Sequence, residues 1–261
     1  MYPNGIPDNP STYPWKASVG FAWVAITISM VVFEDEFYKV VAKPFGEYQT
    51  NCYLVLSKEK EESLIIDPGI GASQWVLENA KNPLAILNTH GHFDHVWSNA
   101  ELKEKLPNTP LLCPLEDAFM LKSDCFGTGL TESKADILVG AKADESPIES
   151  TANTTNLKRE NNYYFGDFEV KFVCYPGHTP GCSVIIISHK KSKQKTMFSG
   201  DFIFYRSIGR SDFPYSDGAT MKASLEAFLE NDEDMPVFPG HGKQTSIKQE
   251  QANIPYWLMR I

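Results

Sequence analysis

The sequence has 261 residues, enough for one large α/β domain or two small ones with a substantial core. Its 33 acidic residues outnumber 24 basic ones, and the formal net charge of −9 argues against a nucleic-acid partner, which needs clustered Lys and Arg. The one basic cluster, His189 to Lys195, lies between two apolar runs and reads as a solvated hairpin turn.

The N-terminal stretch admits more than one reading. Ala17 to Phe33 carries no charge, but its length is at the lower limit for a membrane span, and Ser18, Gly20, Thr27 and Ser29 dilute it. Neither a basic start nor a small-residue cleavage site marks a signal peptide. Alternation at Ile26, Ile28, Met30 and Val32 fits a strand equally well, and Met30 is itself a candidate start. Residues 1–36 are therefore taken as an N-terminal extension and 37–261 as a single domain. The expectation is a soluble protein, with a membrane anchor at 17–33 as the lesser alternative.

After Glu34-Asp35-Glu36 the pattern predicts strands over Phe37–Ala42, Cys52–Leu56 and Ser63–Ile66, the last ending at Asp67-Pro68-Gly69. Helical spacing covers Ala72–Ala80. The apolar run Leu84–Leu87 predicts a buried strand, followed by a helix over Ser98–Leu106, a short strand at Leu111–Cys113 and a helix starting near Leu115. From Ser123 to Lys158 the chain turns polar, and this stretch is read as an insertion, either a lid over a site or a surface excursion.

Tyr163–Phe165, the turn Gly166-Asp167 and Phe168–Cys174 predict a hairpin. Strands are expected at Ser183–Ser188, Thr196–Ser199 and Pro236–Phe238, with helices over Met221–Leu229 and Ser246–Met259. The five cysteines (Cys52, Cys113, Cys125, Cys174 and Cys182) are odd in number and irregularly spaced. They read as free thiols in a reducing compartment, which favours the cytoplasm. Structural burial is the default reading for each, with Cys182, which follows a histidine-bearing loop, the one whose alternative is a place near a site.

Chemistry concentrates in Thr89-His90-Gly91-His92-Phe93-Asp94-His95. Neutral imidazole and carboxylate oxygen are ligands that zinc and related divalent metals prefer, and a strand ending here delivers them together. His178, Asp201 and His241 recur in the same context of an apolar run, small residues and a polar group. Every histidine except His189 belongs to this set.

Thr-His-Gly-His-Phe-Asp-His, Pro176-Gly-His-Thr-Pro-Gly181, Ser199-Gly-Asp201 and Pro239-Gly-His-Gly242 resemble, in order and approximate spacing, the metal motifs of the metallo-β-lactamase superfamily. The resemblance runs from about Val40 to the C-terminus. It implies an α/β fold, the αββα sandwich of two mixed β-sheets flanked by helices, with two divalent metal ions at one edge. Zinc is expected, with iron or manganese as alternatives. It assigns His90, His92 and His178 to the first ion, Asp94, His95 and His241 to the second, and Asp201 as the bridge.

Asp201-Phe-Ile-Phe204 and Ser207-Ile-Gly-Arg-Ser-Asp212 look most like the glyoxalase II (hydroxyacylglutathione hydrolase) branch, in its short single-domain form. Many zinc β-lactamases have cysteine where Asp201 stands; an aspartate can bridge two metals through oxygen. The implied activity is hydrolysis of a small-molecule thioester by a metal-bridging hydroxide, with Asp94 orienting it and receiving its proton. Asp67 is read either as a support for the ligands or as a plain turn residue. Tyr205, Arg206 and Arg210 are candidate contacts to an anionic substrate tail, or else partners of surface carboxylates. Only 20 residues follow His241, where two-domain members of the branch carry basic residues for glutathione, so the thiol carrier is left open. Alternatives are a mononuclear iron persulfide dioxygenase, a lactone hydrolase, and a metal-stabilised binding protein without catalysis.

Overall fold

Period-two alternation builds two sheets that each bury both faces. The computed structural model describes residues 28–141 and 157–261. The first sheet runs in chain order: β1 (Met30–Glu34), β2 (Tyr38–Phe45), β3 (Thr50–Ser57), β4 (Glu62–Ile66), β5 (Asn82–Leu87), β6 (Leu111–Pro114) and β7 (Ile137–Val139). Its first four strands pair antiparallel and β4 to β7 pair parallel. The second sheet takes β8 (Glu160–Phe165), β9 (Phe168–Cys174), β10 (Ser183–His189) and β11 (Lys195–Gly200). A small hairpin, β12 (Ile203–Phe204) and β13 (Ser207–Ile208), follows. β14 (Pro236–Pro239) then joins β11 in parallel, with β15 (Thr245–Ser246) at the edge.

Alternate residues of each strand go to different layers, as the pleat requires. Tyr38, Val40, Leu64 and Ile66 meet Phe168, Phe172, Ile185 and Phe238 between the sheets. Leu54, Ile65 and Ile86 face the other way, against residues of α1 (Ser73–Asn79), α2 (Phe93–Val96), α3 (Asn99–Lys105) and α4 (Ala118–Lys122). Val184, Met197 and Val237 do the same on the second sheet, against α5 (Gly218–Phe228), α6 (Ile247–Gln251) and α7 (Ile254–Leu258). Two mixed sheets with a helical layer on each outer face make an αββα sandwich.

Three local expectations are modified. The first sheet begins upstream of Phe37, inside the stretch read as an N-terminal extension: Met30 lies opposite Ala42 and Glu34 opposite Lys39. The acidic turn closes this hairpin, because Asp35 Oδ1 accepts from the backbone N–H of Phe37 (2.7 Å) and Tyr38 (2.9 Å). Within 123–158, residues 142–156 lie outside the described residues, while Ile137–Val139 is a strand of the sheet and no surface excursion. The expected helix over 246–259 is two short ones, because Pro255 sits in the first turn of α7 and its ring cannot continue a preceding helix.

Among the described residues, no helix is long and apolar enough to cross a membrane, and residues 17–27 of the apolar stretch lie outside them. All five cysteines are unpaired. Cys182 is fully buried in the apolar layer beneath α5, the structural role taken as the default for the cysteines, and burial pushes its thiol pKa well up, so it is an inert core residue.

Candidate metal centre

The sandwich brings four loops to one edge. β5 ends at Leu87, and the turn that follows carries His90 and His92 before α2 lifts Asp94 and His95. The loop after β9 supplies His178, the end of β11 supplies Asp201, and the end of β14 supplies His241. Main-chain bonds stitch these ends together: Ser183 N–H donates to Thr89 O (3.0 Å), Gly240 N–H to Gly200 O (2.8 Å) and Asn51 N–H to Gly240 O (2.7 Å). Gly240 has no room for a side chain, since a Cβ there would press on the Asp201 carboxylate and the His95 ring.

His90, His92 and His178 form one group of potential ligands, and Asp94, His95 and His241 another, the ligand atoms of each lying within 4.8 Å of one another. Asp201 stands between them. Its Oδ2 is 3.5 Å from His178 Nε2 and 3.4 Å from His241 Nε2, and its Oδ1 is 3.3 Å from His95 Nε2. Bonds of about 2.0–2.1 Å at tetrahedral angles would set neighbouring ligand atoms about 3.4 Å apart. The donor set therefore fits divalent metal ions. The Nε2 atoms of His90, His92, His95 and His178, and Asp201 Oδ1, are buried without a hydrogen-bond partner, a costly arrangement unless a cation uses them.

Partners on the far side of the rings leave Nε2 to face the centre. His178 Nδ1 donates to Arg210 O (2.7 Å) and His241 Nδ1 to Tyr48 O (2.9 Å). The Thr89 hydroxyl donates to Asp67 Oδ2 (2.6 Å), so it accepts from His90 Nδ1 (3.0 Å). His95 Nδ1 meets the same Asp67 oxygen at 3.0 Å. Asp67, His90 and His95 also cluster at ligand distance, but both Asp67 oxygens are already engaged, which makes it a support for the ligands and no plain turn residue.

Charge divides the two groups. Burial, with the neighbouring imidazoles, holds His90 and His178 neutral and lowers His92 to about 3. Burial also opposes charge on His95 and His241, but Asp94 and Asp201 outweigh it, raising His95 well above its usual range and His241 to about 10. Those same imidazoles overcome the burial of Asp94 and Asp201 and keep both carboxylates ionised.

A cavity of about 200 Å³ opens onto the centre, lined by His92, Asp94, His178, Asp201 and His241 and walled by Tyr48, Phe93, Phe126 and Phe213. Phe126 belongs to the polar stretch read as an insertion, a lid or a surface excursion; its ring lies 5.2 Å from that of His92 and is buried. Tyr205, Arg206 and Arg210 are not among the lining residues. Lys243 Nζ sits 3.8 Å from the Tyr205 ring, and Arg206 N–H donates to Glu250 (2.9 Å). Arg210 forms a two-pronged ion pair with Asp212 (2.8 and 2.7 Å) and covers the Phe213 ring. Of the aromatic walls only Phe93 falls in a sequence motif, the histidine turn; Tyr48, Phe126 and Phe213 come from separate loops with none.

Fold and site together define a metal-binding hydrolase architecture. The family model of the metallo-beta-lactamase superfamily matches residues 45–241, and the chain belongs to that family. It is 32% identical over 220 residues to the hydroxyacylglutathione hydrolase GloC of Haemophilus influenzae, covering 82% of this chain and 95% of that one. It is 30% identical over 217 residues to the probable metallo-hydrolase YqgX of Bacillus subtilis, covering 82% and 94%. Among solved structures it resembles the BLEG-1 B3 metallo-beta-lactamase, with a TM-score of 0.66 and 28% identity over 83% of this chain and 98% of that one. The di-iron-bound form of TTHA1623 superposes with a TM-score of 0.59 and 30% identity over 82% and 98%.

Proposed function

We propose that this metallo-hydrolase cleaves small-molecule thioesters, in the manner of hydroxyacylglutathione hydrolases, at a centre of two metal ions. The observation that carries the dinuclear reading is Asp201, whose carboxylate reaches His178 of one ligand group and His95 and His241 of the other. The relationship to GloC supports the thioester. His90, His92 and His178 would hold one ion and Asp94, His95 and His241 the second, with Asp201 shared. Zinc is the proposed metal, with iron or manganese as alternatives for an imidazole-carboxylate set.

Divalent ions at such a site supply Lewis acidity and bring the pKa of water towards neutrality. The protein's own groups do the rest. Asp94 lines the cavity and is held in place by the Thr50 hydroxyl, which donates to its Oδ2 at 2.7 Å. At the cavity face of the centre, its carboxylate would orient the attacking water and receive its proton. Phe93, Phe126 and Phe213 exclude bulk water from the reacting carbonyl and receive the acyl group. The unpaired cysteines support a reducing compartment, and we place the protein in the cytoplasm.

Metal analysis of the purified protein, paired with a panel of lactoyl-glutathione, other acyl thioesters, lactones and a persulfide, tests this reading. Two ions per chain and thioester cleavage are expected. One iron with oxygen uptake on the persulfide would replace it with a dioxygenase, lactone cleavage alone with a lactonase, and full metal loading without turnover with a binding protein.

A further inference from the structure

One carboxylate outside the proposed ligand set joins the two loops that carry the three-histidine group. Asp117 ends a short 3₁₀ turn, Leu115–Asp117, after β6 and is fully buried. Its Oδ2 accepts from the backbone N–H of Gly91 (2.9 Å) and from the Thr179 hydroxyl (2.6 Å), and its Oδ1 from the backbone N–H of Gly181 (2.6 Å). Gly91 lies between His90 and His92, and Thr179 directly follows His178. The loops approach so closely here that a Cβ on Gly181 would stand 2.8 Å from Asp117 Oδ1. The turn is itself anchored, because neighbouring Glu116 is buried in a two-pronged ion pair with Arg159 (2.6 and 2.7 Å).

We infer that Asp117 is a positioning residue of the metal centre: by bonding Gly91, Thr179 and Gly181 at once, it holds His90 and His92 at the distance from His178 that binds an ion. It touches none of the ligand atoms and acts through the main chain on either side of them. Three donors converge on it, two of them fixed backbone N–H groups, so the position requires a group that only accepts. Burial pushes its carboxyl up to about 6, which leaves it ionised and acceptor-only at neutral pH. Asparagine has the same shape but one donor end. Either way round, its amide sets N–H against the N–H of Gly91 or of Gly181, and one loop is released.

The inference rests on the reading of the three histidines as metal ligands, and Co(II) titration followed by visible absorption separates the two. The wild type should take up two ions with distinct d–d bands. Asp117→Asn should keep the wild-type circular dichroism and fill the Asp94, His95 and His241 group normally, while the affinity of the three-histidine group falls at least about tenfold, as support-residue losses do. A folded Asp117→Asn with unchanged affinity at both groups overturns the inference. A wild type that takes up a single ion overturns the dinuclear reading instead, and the affinity of the three-histidine group in the variant still decides the role of Asp117. If Asp117→Asn does not fold, Thr179→Val is decisive, since it deletes one of the three bonds and keeps the carboxylate: a weaker three-histidine group supports the inference, and an unaltered one overturns it.

Discussion

Asp67 Oδ2 lies 3.0 Å from His95 Nδ1 and accepts the Thr89 hydroxyl at 2.6 Å, so one carboxylate orients histidines of both ligand groups: His95 directly, and His90 through Thr89. Asp67 also holds a left-handed backbone conformation, φ 47°, which asparagine tolerates well. Asp67→Asn therefore leaves the turn intact and tests the carboxylate alone. Metal affinity, measured by competition with a chromophoric chelator, should fall about 10–100-fold. Unchanged affinity would show that packing around the rings is enough to aim them.

Asp94 has two roles in the proposed reaction, as ligand and as proton acceptor. Asp94→Ala, assayed under metal excess so that the three-histidine group stays loaded, should lower kcat by about 10²–10⁴-fold, the usual worth of a positioned acid-base group. Full activity at full metal loading would remove Asp94 from the chemistry.

Most of this candidate site was legible because the potential metal ligands sit at strand ends, where apolar alternation stops and small residues begin. Leu84–Leu87 followed by the histidine turn is the clearest case, and the strand over Asn82–Leu87 delivers it as the pattern predicts. Asp117 was not legible. Its partners lie 26, 62 and 64 residues away in the chain, and nothing local distinguishes it from an ordinary turn carboxylate. Three of the cavity walls were hidden for the same reason, since Tyr48, Phe126 and Phe213 meet Phe93 of the histidine turn only when distant loops converge. The break before Pro255 was visible in the sequence, and the periodicity around it masked it.

Phe126 gives the described part of the 123–158 stretch a role at the cavity mouth. Its ring lies 5.2 Å from His92 and 6.0 Å from Phe93, so truncation opens the wall over the three-histidine group. Phe126→Ala should raise KM about tenfold for thioesters with an aromatic or branched acyl group and much less for acetyl, with kcat less affected. An equal effect across the panel would mean that Phe126 shapes the centre itself and not the acyl pocket.

Acid stability should depend on a group remote from the candidate metal centre. Asp167, in the turn between β8 and β9, pairs with Lys60 (2.9 Å) and with Lys190, and these two ammonium groups lower its pKa from the ordinary 3.8 to about 2. The folded state then binds fewer protons here than the unfolded chain. The stabilisation is fully present above about pH 4 and is lost as the pH falls through about 2. Acid also protonates the proposed metal ligands, so the informative quantity is the difference between wild type and Asp167→Asn, in which that shared loss cancels. The variant should melt a few degrees lower at pH 7, and the gap should narrow steadily below pH 4. It should also shrink in high salt, because one partner, Lys190, is largely exposed. A gap that stays constant from neutral pH into acid would mean that Asp167 acts through the geometry of the hairpin turn, where its carbonyl accepts from Lys190 N–H at 3.0 Å, and not through its charge.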